Sequence, residues 1–222
     1  MKSIVVFCAH SDDQILGAGG AMAKFAKKGY SVDTHIFSYG ELSHPHYKKD
    51  YIKDIRIKES EEANKVIGGN KVEFFGLTDG QLNTEFNTKN IYSKIKSVLK
   101  ETKPKIIFTH AIDDMLPDHR SVRRAVLRAY DELHKEEGFE AEVYSFDVWN
   151  IWNTKRDTPV LVVDISEEFK TKIKALHCFK SQINLFTHAY FVNILYLGVY
   201  IKGFLYGLRY KTKFAEVYHK LR

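Results

Sequence analysis

The sequence predicts an α/β chain with a mostly parallel sheet between two layers of helices, a Rossmann-like three-layer sandwich. Three observations carry that expectation. Short β-branched and aromatic runs alternate with stretches of helical spacing along the 222 residues. Several runs are apolar at successive positions, the pattern of strands buried on both faces. No Pro/Gly/Ser linker, repeat or low-complexity tract divides the chain, so residues 1–222 read as a single domain.

Taken in order, strands are predicted at 3–8 (SIVVFC), 32–38 (VDTHIFS), 72–75 (VEFF), 105–109 (KIIFT), 143–148 (VYSFDV) and 160–165 (VLVVDI). Between them, helical spacing covers Gly19 to Lys28, Tyr51 to Ile67, Thr88 to Thr102 and Asp118 to Leu133. It returns from Leu185 to Tyr210, where Phe186 and Tyr190, then Tyr196, Tyr200 and Phe204, fall four residues apart. His188, Asn193 and Lys202 interrupt that run, which falls short of the roughly 18–20 clean apolar residues a membrane span needs. This aromatic-rich segment, about 185–222, also carries Lys202, Arg209, Lys211 and Lys213. The plainer reading packs it on the domain or on a second copy in a homo-oligomer. The other lays it in a membrane interface as a peripheral contact, where it would present the site to a lipid-linked substrate.

Hydrophobic residues make up 44% of the chain, enough for a full core. The 34 basic and 28 acidic residues give a net charge of +6, which favours anionic partners without naming one. The basic residues are spread, and no finger, homeodomain or RNP-type motif accompanies them, so nucleic acid is not an expected partner. Arg120, Arg124 and Arg128 read as a solvated helix face. Cys8 and Cys178 have no paired spacing, which argues against a disulfide framework or thiolate metal site and fits a reducing cytoplasm. The opening MKSIVVFCAHSDD is too short in its apolar run for a signal peptide.

The chemistry concentrates where predicted strands end. A dinucleotide fold places glycine directly after its first strand. Here His10-Ser11-Asp12-Asp13 occupies that place, and Gly17, Gly19 and Gly20 follow at the wrong spacing. The missing fingerprint argues against a nucleotide-dependent oxidoreductase. Two carboxylates there would repel a diphosphate but attract a cation, and imidazole with carboxylate suits a divalent transition metal such as zinc. A second cluster, THAIDDMLPDHRSV, follows the strand ending at Thr109 and adds His119 at the start of a helix behind Pro117 and Asp118. His10, Asp13 and His119 then leave zinc an open position for water, and Asp12 can take that water's proton as general base. The bland alternative is an Asx-type loop and a helix-packing histidine.

AHSDDQILGAGG, RIKESEEANKVIGGNKVEFFGLTDGQL, PDHRSV, KALHCFKSQ and AEVY, in that order and spacing, resemble the GlcNAc-phosphatidylinositol de-N-acetylase family, the PIG-L or LmbE-like zinc deacetylases. The resemblance implies removal of acetyl from an N-acetylated amino sugar, with His10, Asp13 and His119 on zinc and Asp12 as base. It also implies that Arg56 and Asp79 contact the sugar and that Asp114 and Asp118 support the ligands from outside. Ser11 stands in place of the family's usual proline. Leu116 and Phe179 stand where members commonly carry histidines, that at Leu116 being the one implied to steady the oxyanion. Either the metal carries the oxyanion's charge alone, or another donor such as His110, placed against the substrate, or His188 substitutes, or the enzyme is slow. The alternative function is a non-catalytic sugar or lipid-head-group binding protein on the same scaffold.

Overall fold

The computed structural model describes residues 2–43, 48–149, 158–183 and 189–222. The described chain runs β1 (Ser3–Cys8), α1 (Asp13–Lys27), β2 (Ser31–Ser38), α2 (Lys49–Ile67), β3 (Lys71–Leu77), α3 (Leu82–Thr88), α4 (Ile91–Thr102) and β4 (Ile106–His110). It continues through α5 (Pro117–Glu137), β5 (Glu142–Phe146), β6 (Val160–Asp164), α6 (Phe169–Leu176), α7 (Lys180–Ile183), α8 (Ala189–Arg209) and β7 (Ala215–Lys220). Among the described residues these strands form one sheet in the order β3-β2-β1-β4-β5-β7-β6. Pairing is parallel from β3 to β5, and β7 runs antiparallel to both β5 and β6.

β1 explains the layering. All six of its residues are buried, with Ile4, Val6 and Cys8 in one core and Val5 and Phe7 in the other. Ile15, Met22 and Ala63 of α1 and α2, with Phe169 of α6 and Leu195 of α8, close the first core. Phe86, Ile95 and Val126 of α3, α4 and α5 close the second. The chain leaves β1 over one face through α1 and returns to β4 over the other through α3 and α4. The connections therefore diverge between β1 and β4, and the crevice beyond those two carboxyl ends is the place such a sheet offers a ligand.

The predicted elements hold with shifted bounds. α1 begins six residues before the expected Gly19, because the Asp12 carbonyl already accepts the N–H groups of Ile15 and Leu16 at 3.0 Å. The glycines thus lie inside a helix that approaches its neighbours closely. A side chain at Gly17 would collide with the Phe146 ring, and a Cβ at Gly20 would stand 2.7 Å from Ile165. The helix expected over 88–102 begins three residues late, as α4 at Ile91, because Asn90 before it adopts a left-handed φ of 52°; α3, ending at Thr88, is not among the expected elements. β7 is absent from the predicted strands because AEVYHK reads as polar. Its Glu216 is nevertheless buried, accepting from the N–H groups of Gly20 (3.1 Å) and Ala21 (2.7 Å), from Lys172 Nζ (2.6 Å) and from the Tyr218 hydroxyl (2.5 Å).

α8 accounts for the helical spacing in the tail. Leu185, Phe186 and His188 lie outside the described residues, as do the side chains of Tyr190 and Asn193. The expected single aromatic face divides: Tyr196 turns inward and donates to the Leu176 carbonyl at 3.0 Å, while Tyr200 and Phe204 stay half exposed. No described helix is long and apolar enough to cross a membrane.

Candidate metal centre

Between β1 and α1 the chain makes a short turn from Ala9 to Asp12. Asp13 Oδ2 accepts the N–H of His10 at 2.8 Å, which closes the turn and sets imidazole and carboxylate side by side. Asp13 opens α1, where the free N–H groups of a helix start favour a carboxylate. From β4 the chain loops to α5, whose first turn is Pro117, Asp118 and His119. Proline at the first helical position needs no N–H and holds φ, so the His119 backbone is fixed by the helix itself.

These two strand ends bring together three side chains drawn from opposite halves of the first 119 residues. His10 Nδ1 lies 3.1 Å from His119 Nε2 and 3.4 Å from Asp13 Oδ2, and the latter two atoms are 3.3 Å apart. A tetrahedral ion with bonds of about 2.0–2.1 Å requires donor atoms about 3.3–3.4 Å apart. The triangle has that size, and its two nitrogens and one oxygen are a donor set suited to zinc.

Each imidazole is backed by carboxylate on its far nitrogen, the usual support for a metal-bound histidine. His10 Nε2 lies 3.2 Å from Asp79 Oδ1 and 3.6 Å from Asp118 Oδ2. His119 Nδ1 lies 3.0 Å from Asp114 Oδ1. These carboxylates are themselves fixed: Asp79 accepts from the Leu42 N–H (3.1 Å), Asp118 from Gly80 (2.8 Å) and Asp114 from Leu116 (3.1 Å).

The field at the triangle calls for positive charge. Burial alone would lower the His119 pKa, yet the Asp13 charge and the Asp114 contact raise it to about 9. Burial opposes protonation of His10 too, and Asp118, Asp13 and Asp79 together push its pKa well above the ordinary value. Asp13 is buried, which would raise its pKa, but His119, His10 and His110 hold it far below the usual carboxylate range. A bound cation satisfies the same field that protons would otherwise satisfy.

Arg56, from α2, is only 2% exposed and lies beneath this turn. Its Nε donates to Ser11 Oγ at 2.5 Å, and its Nη2 lies 3.3 Å from Asp12 Oδ1. Arg56 therefore reaches neither Glu59 nor Ser60 in the manner helix spacing would allow; Glu59 instead accepts from Ser181. Gly40, at φ 68°, lies flat against the guanidinium, and a Cβ there would stand 3.0 Å from Nη2. Ser11 is more than a softened proline, since a proline side chain could not accept this bond. Nη1 has no hydrogen-bond partner among the described residues.

A cavity of about 330 Å³ opens beside His10 and Asp13 of the triangle. His10, Asp12, Asp13, Arg56, Asp79 and Leu116 form one side, and Leu42, Trp149, Gln182 and Leu195 contribute the other. The expected positions of His10, Asp12, Asp13, Arg56, Asp79, Asp114, Asp118 and His119 thus converge. His110 does not reach the cavity, contrary to expectation. Its Nε2 accepts the Ala9 N–H at 2.9 Å, and its ring stacks behind His119 at 3.9 Å between centroids. Burial, with the His119 charge, lowers its pKa to about 4, so it sits there neutral. His188, the other expected donor, lies outside the described residues. Phe179 is fully buried in the core. Trp149 and Leu195 carry no sequence signal, because each is an ordinary core or helix residue until the fold turns it toward the site, and Gln182 lies in the KALHCFKSQ stretch of the resemblance with no role attached to it.

Fold and site together define a Rossmann-like α/β protein with a two-histidine, one-aspartate donor cluster where the strand connections diverge. The chain belongs to the PIG-L family, described as GlcNAc-PI de-N-acetylase, whose profile matches residues 5–130. Among curated proteins it is similar to the probable N-acetyl-alpha-D-glucosaminyl L-malate deacetylase 2 of Bacillus cereus, 27% identical over 187 residues, covering 82% of this chain and 84% of the relative. Two solved structures share the fold. The 4-carboxy-2-hydroxymuconate hydratase from Pseudomonas putida superimposes with a TM-score of 0.82 at 22% identity, covering 100% of this chain and 97% of the other. The N,N'-diacetylchitobiose deacetylase from Pyrococcus horikoshii gives 0.81 at 17% identity, covering 99% and 84%.

Proposed function

We propose that this protein is a metal-dependent N-deacetylase that hydrolyses the acetamide of an N-acetylated amino-sugar conjugate, with His10, Asp13 and His119 holding a zinc-like divalent ion. The observation that carries this reading is the triangle of donor atoms with edges of 3.1–3.4 Å. Family membership and the Bacillus cereus relative support the amide and the sugar. A divalent ion bound there supplies a Lewis acid for the amide carbonyl and makes water acidic enough to lose a proton near neutral pH.

Asp12 is the general base. It accepts a proton as the water oxygen attacks the acetyl carbon, and returns it to the nitrogen as the C–N bond breaks, releasing acetate and amine. Arg56 holds Asp12 at the cavity mouth, and Ser11 holds Arg56. Asp79 and Asp118 fix the His10 ring, and Asp114 fixes His119, so the ligands need little rearrangement. Arg56 and Asp79 also line the cavity wall and are assigned as contacts for sugar hydroxyls.

The test is acetate release from N-acetylglucosaminides by zinc-loaded protein, with metal content measured alongside. Asp13→Ala is expected to lose ion and activity together. Asp12→Asn is expected to keep the ion while losing roughly 10²–10⁴ in rate. Acetate release that survives complete chelation would refute the proposal. Leu116 favours one second reading, because it offers the cavity no donor for the oxyanion of amide hydrolysis. Addition of water to a carbon–carbon double bond conjugated with a carboxylate develops its charge on that carboxylate, a different oxygen from the amide oxyanion. Loss of ultraviolet absorbance from an unsaturated dicarboxylate, without acetate release from any glucosaminide, would establish that alternative.

A further inference from the structure

α8 turns an uncharged apolar face outward. Leu197, Tyr200, Ile201, Phe204, Leu205 and Leu208 are 59%, 51%, 39%, 44%, 45% and 60% exposed. A fully exposed large apolar side chain presents about 200 Å², so the six leave roughly 600 Å² of apolar surface on one helix face. That equals the largest patch an ordinary monomer shows. Doubled across two copies it gives about 1,200 Å², the lower bound of a specific interface before neighbouring side chains contribute.

The spacing of the six residues, like that of any regular 3-4 stripe, meets the geometric requirement for pairing with a second copy. In an antiparallel helix pair, position i of one copy faces position j of the other with i + j constant. Reflected about the midpoint between Lys202 and Gly203, the exposed set maps onto itself: Leu197 onto Leu208, Tyr200 onto Leu205, Ile201 onto Phe204. A two-fold axis requires this reciprocity, in which each contact occurs twice with the copies exchanged. We propose that α8 is a homodimer interface, with two copies packed antiparallel about that midpoint.

Charge agrees with this arrangement. The exposed basic residues Arg209, Lys211 and Lys213 lie beyond one end of the face. Antiparallel packing sends them to opposite ends: at 1.5 Å rise per residue the two Arg209 positions are about 20 Å apart, beyond the screening length at physiological salt. A helix lying on a lipid surface carries basic residues along its polar face. The other face of α8 is instead seated on the domain, where a Cβ at Gly203 would stand 3.3 Å from Phe169 and one at Gly207 would stand 2.5 Å from the Lys213 carbonyl. Its one interior lysine, Lys202, turns in to Asp147 at 3.5 Å.

Sedimentation velocity of the full chain tests the interface and its register, independently of any activity. The protein is expected to sediment as a dimer at tens of micromolar. Leu197→Glu and Leu208→Lys, both at exposed positions, should each weaken dimerisation by roughly 30-fold. An equimolar mixture of the two variants should restore a dimer, because the register sets the substituted positions opposite each other. A monomeric wild type overturns the proposal, including one that floats with anionic vesicles. So does a dimer indifferent to both variants, or a mixture that stays monomeric.

Discussion

Asp114→Asn removes one charge from the site and changes almost no volume. Asp114 is 1% exposed, and its Oδ1 stands 3.0 Å from His119 Nδ1 while accepting the Leu116 N–H at 3.1 Å. Asparagine keeps an oxygen for the backbone bond, so the loop into α5 should survive and the lost charge can be read in isolation. Burial drives the His119 pKa down, and Asp13 with Asp114 brings it up to about 9; without Asp114 it must fall. The same loss makes the ring a poorer donor to a cation, and removing such a supporting carboxylate typically costs 10–100-fold in metal affinity, or about 1.4–2.7 kcal/mol. Zinc affinity is measured by titrating apo-protein against a chromophoric chelator, with the exposed neighbour Asp113→Asn as control. The expected result is a loss within that range for Asp114→Asn and less than about twofold for Asp113→Asn. Unchanged affinity in Asp114→Asn, or equal loss in both, would refute the assignment of His119 as a ligand supported by Asp114.

Three further outcomes follow from burial. Lys172→Met leaves Glu216 without the cation at 2.6 Å; because Glu216 keeps two backbone donors and a hydroxyl, the loss should be about 3 kcal/mol, or roughly 6–12 °C in melting temperature, and Glu216→Gln should recover part of it. His35 has its pKa lowered by burial to about 4, below the unfolded value of about 6.5, so the unfolded chain binds a proton that the fold excludes. Stability is therefore complete above pH ~6.5 and falls by up to about 3 kcal/mol as pH drops toward 4, a slope in urea midpoints that His35→Phe should flatten. Gly17→Ala sets a methyl against the Phe146 ring and should destabilise by about 1–3 kcal/mol, read as a lower melting temperature.

The metal-ligand candidates were legible because a parallel sheet gathers its strand ends on one rim. Two polar clusters after apolar runs point to one crevice even though 95 residues, 14–108, separate them. His10, Asp13 and His119 needed no further information. Asp114 and Asp118 are legible as supports only through resemblance, since Asp114 looks like any loop carboxylate, while Asp79, in a common turn sequence after β3, reads there as a sugar contact rather than as a support of His10. His110 was misread: it closes β4 in a histidine- and acid-rich stretch, but the Ala9 N–H claims its nitrogen and turns the ring behind the site. β7 was missed because burial of Glu216 gives the strand a polar spelling. The glycine cluster, at the wrong spacing for a phosphate loop, has its reason only in the fold, where Phe146 and Ile165 occupy the space its missing side chains vacate. Arg56 shows the remaining gap, for its helix position indicates neighbours one turn away, whereas its guanidinium spans elements to Ser11 and Asp12.

The cavity walls have an unequal ancestry along the chain. Every side chain assigned to ion or proton lies within the stretch that matches the family, while Trp149, Gln182 and Leu195 come after it. Under the function proposed above, Leu42, Arg56, Asp79 and Leu116 meet the conjugate from inside that stretch and the later three from outside it, so choice of molecule is shared between two passages of the polypeptide. Alterations in the later passage can exchange one conjugate for another without disturbing the reactive atoms. Leu195 also belongs to the helix whose outward face is assigned to a second copy, so pairing would stiffen that wall.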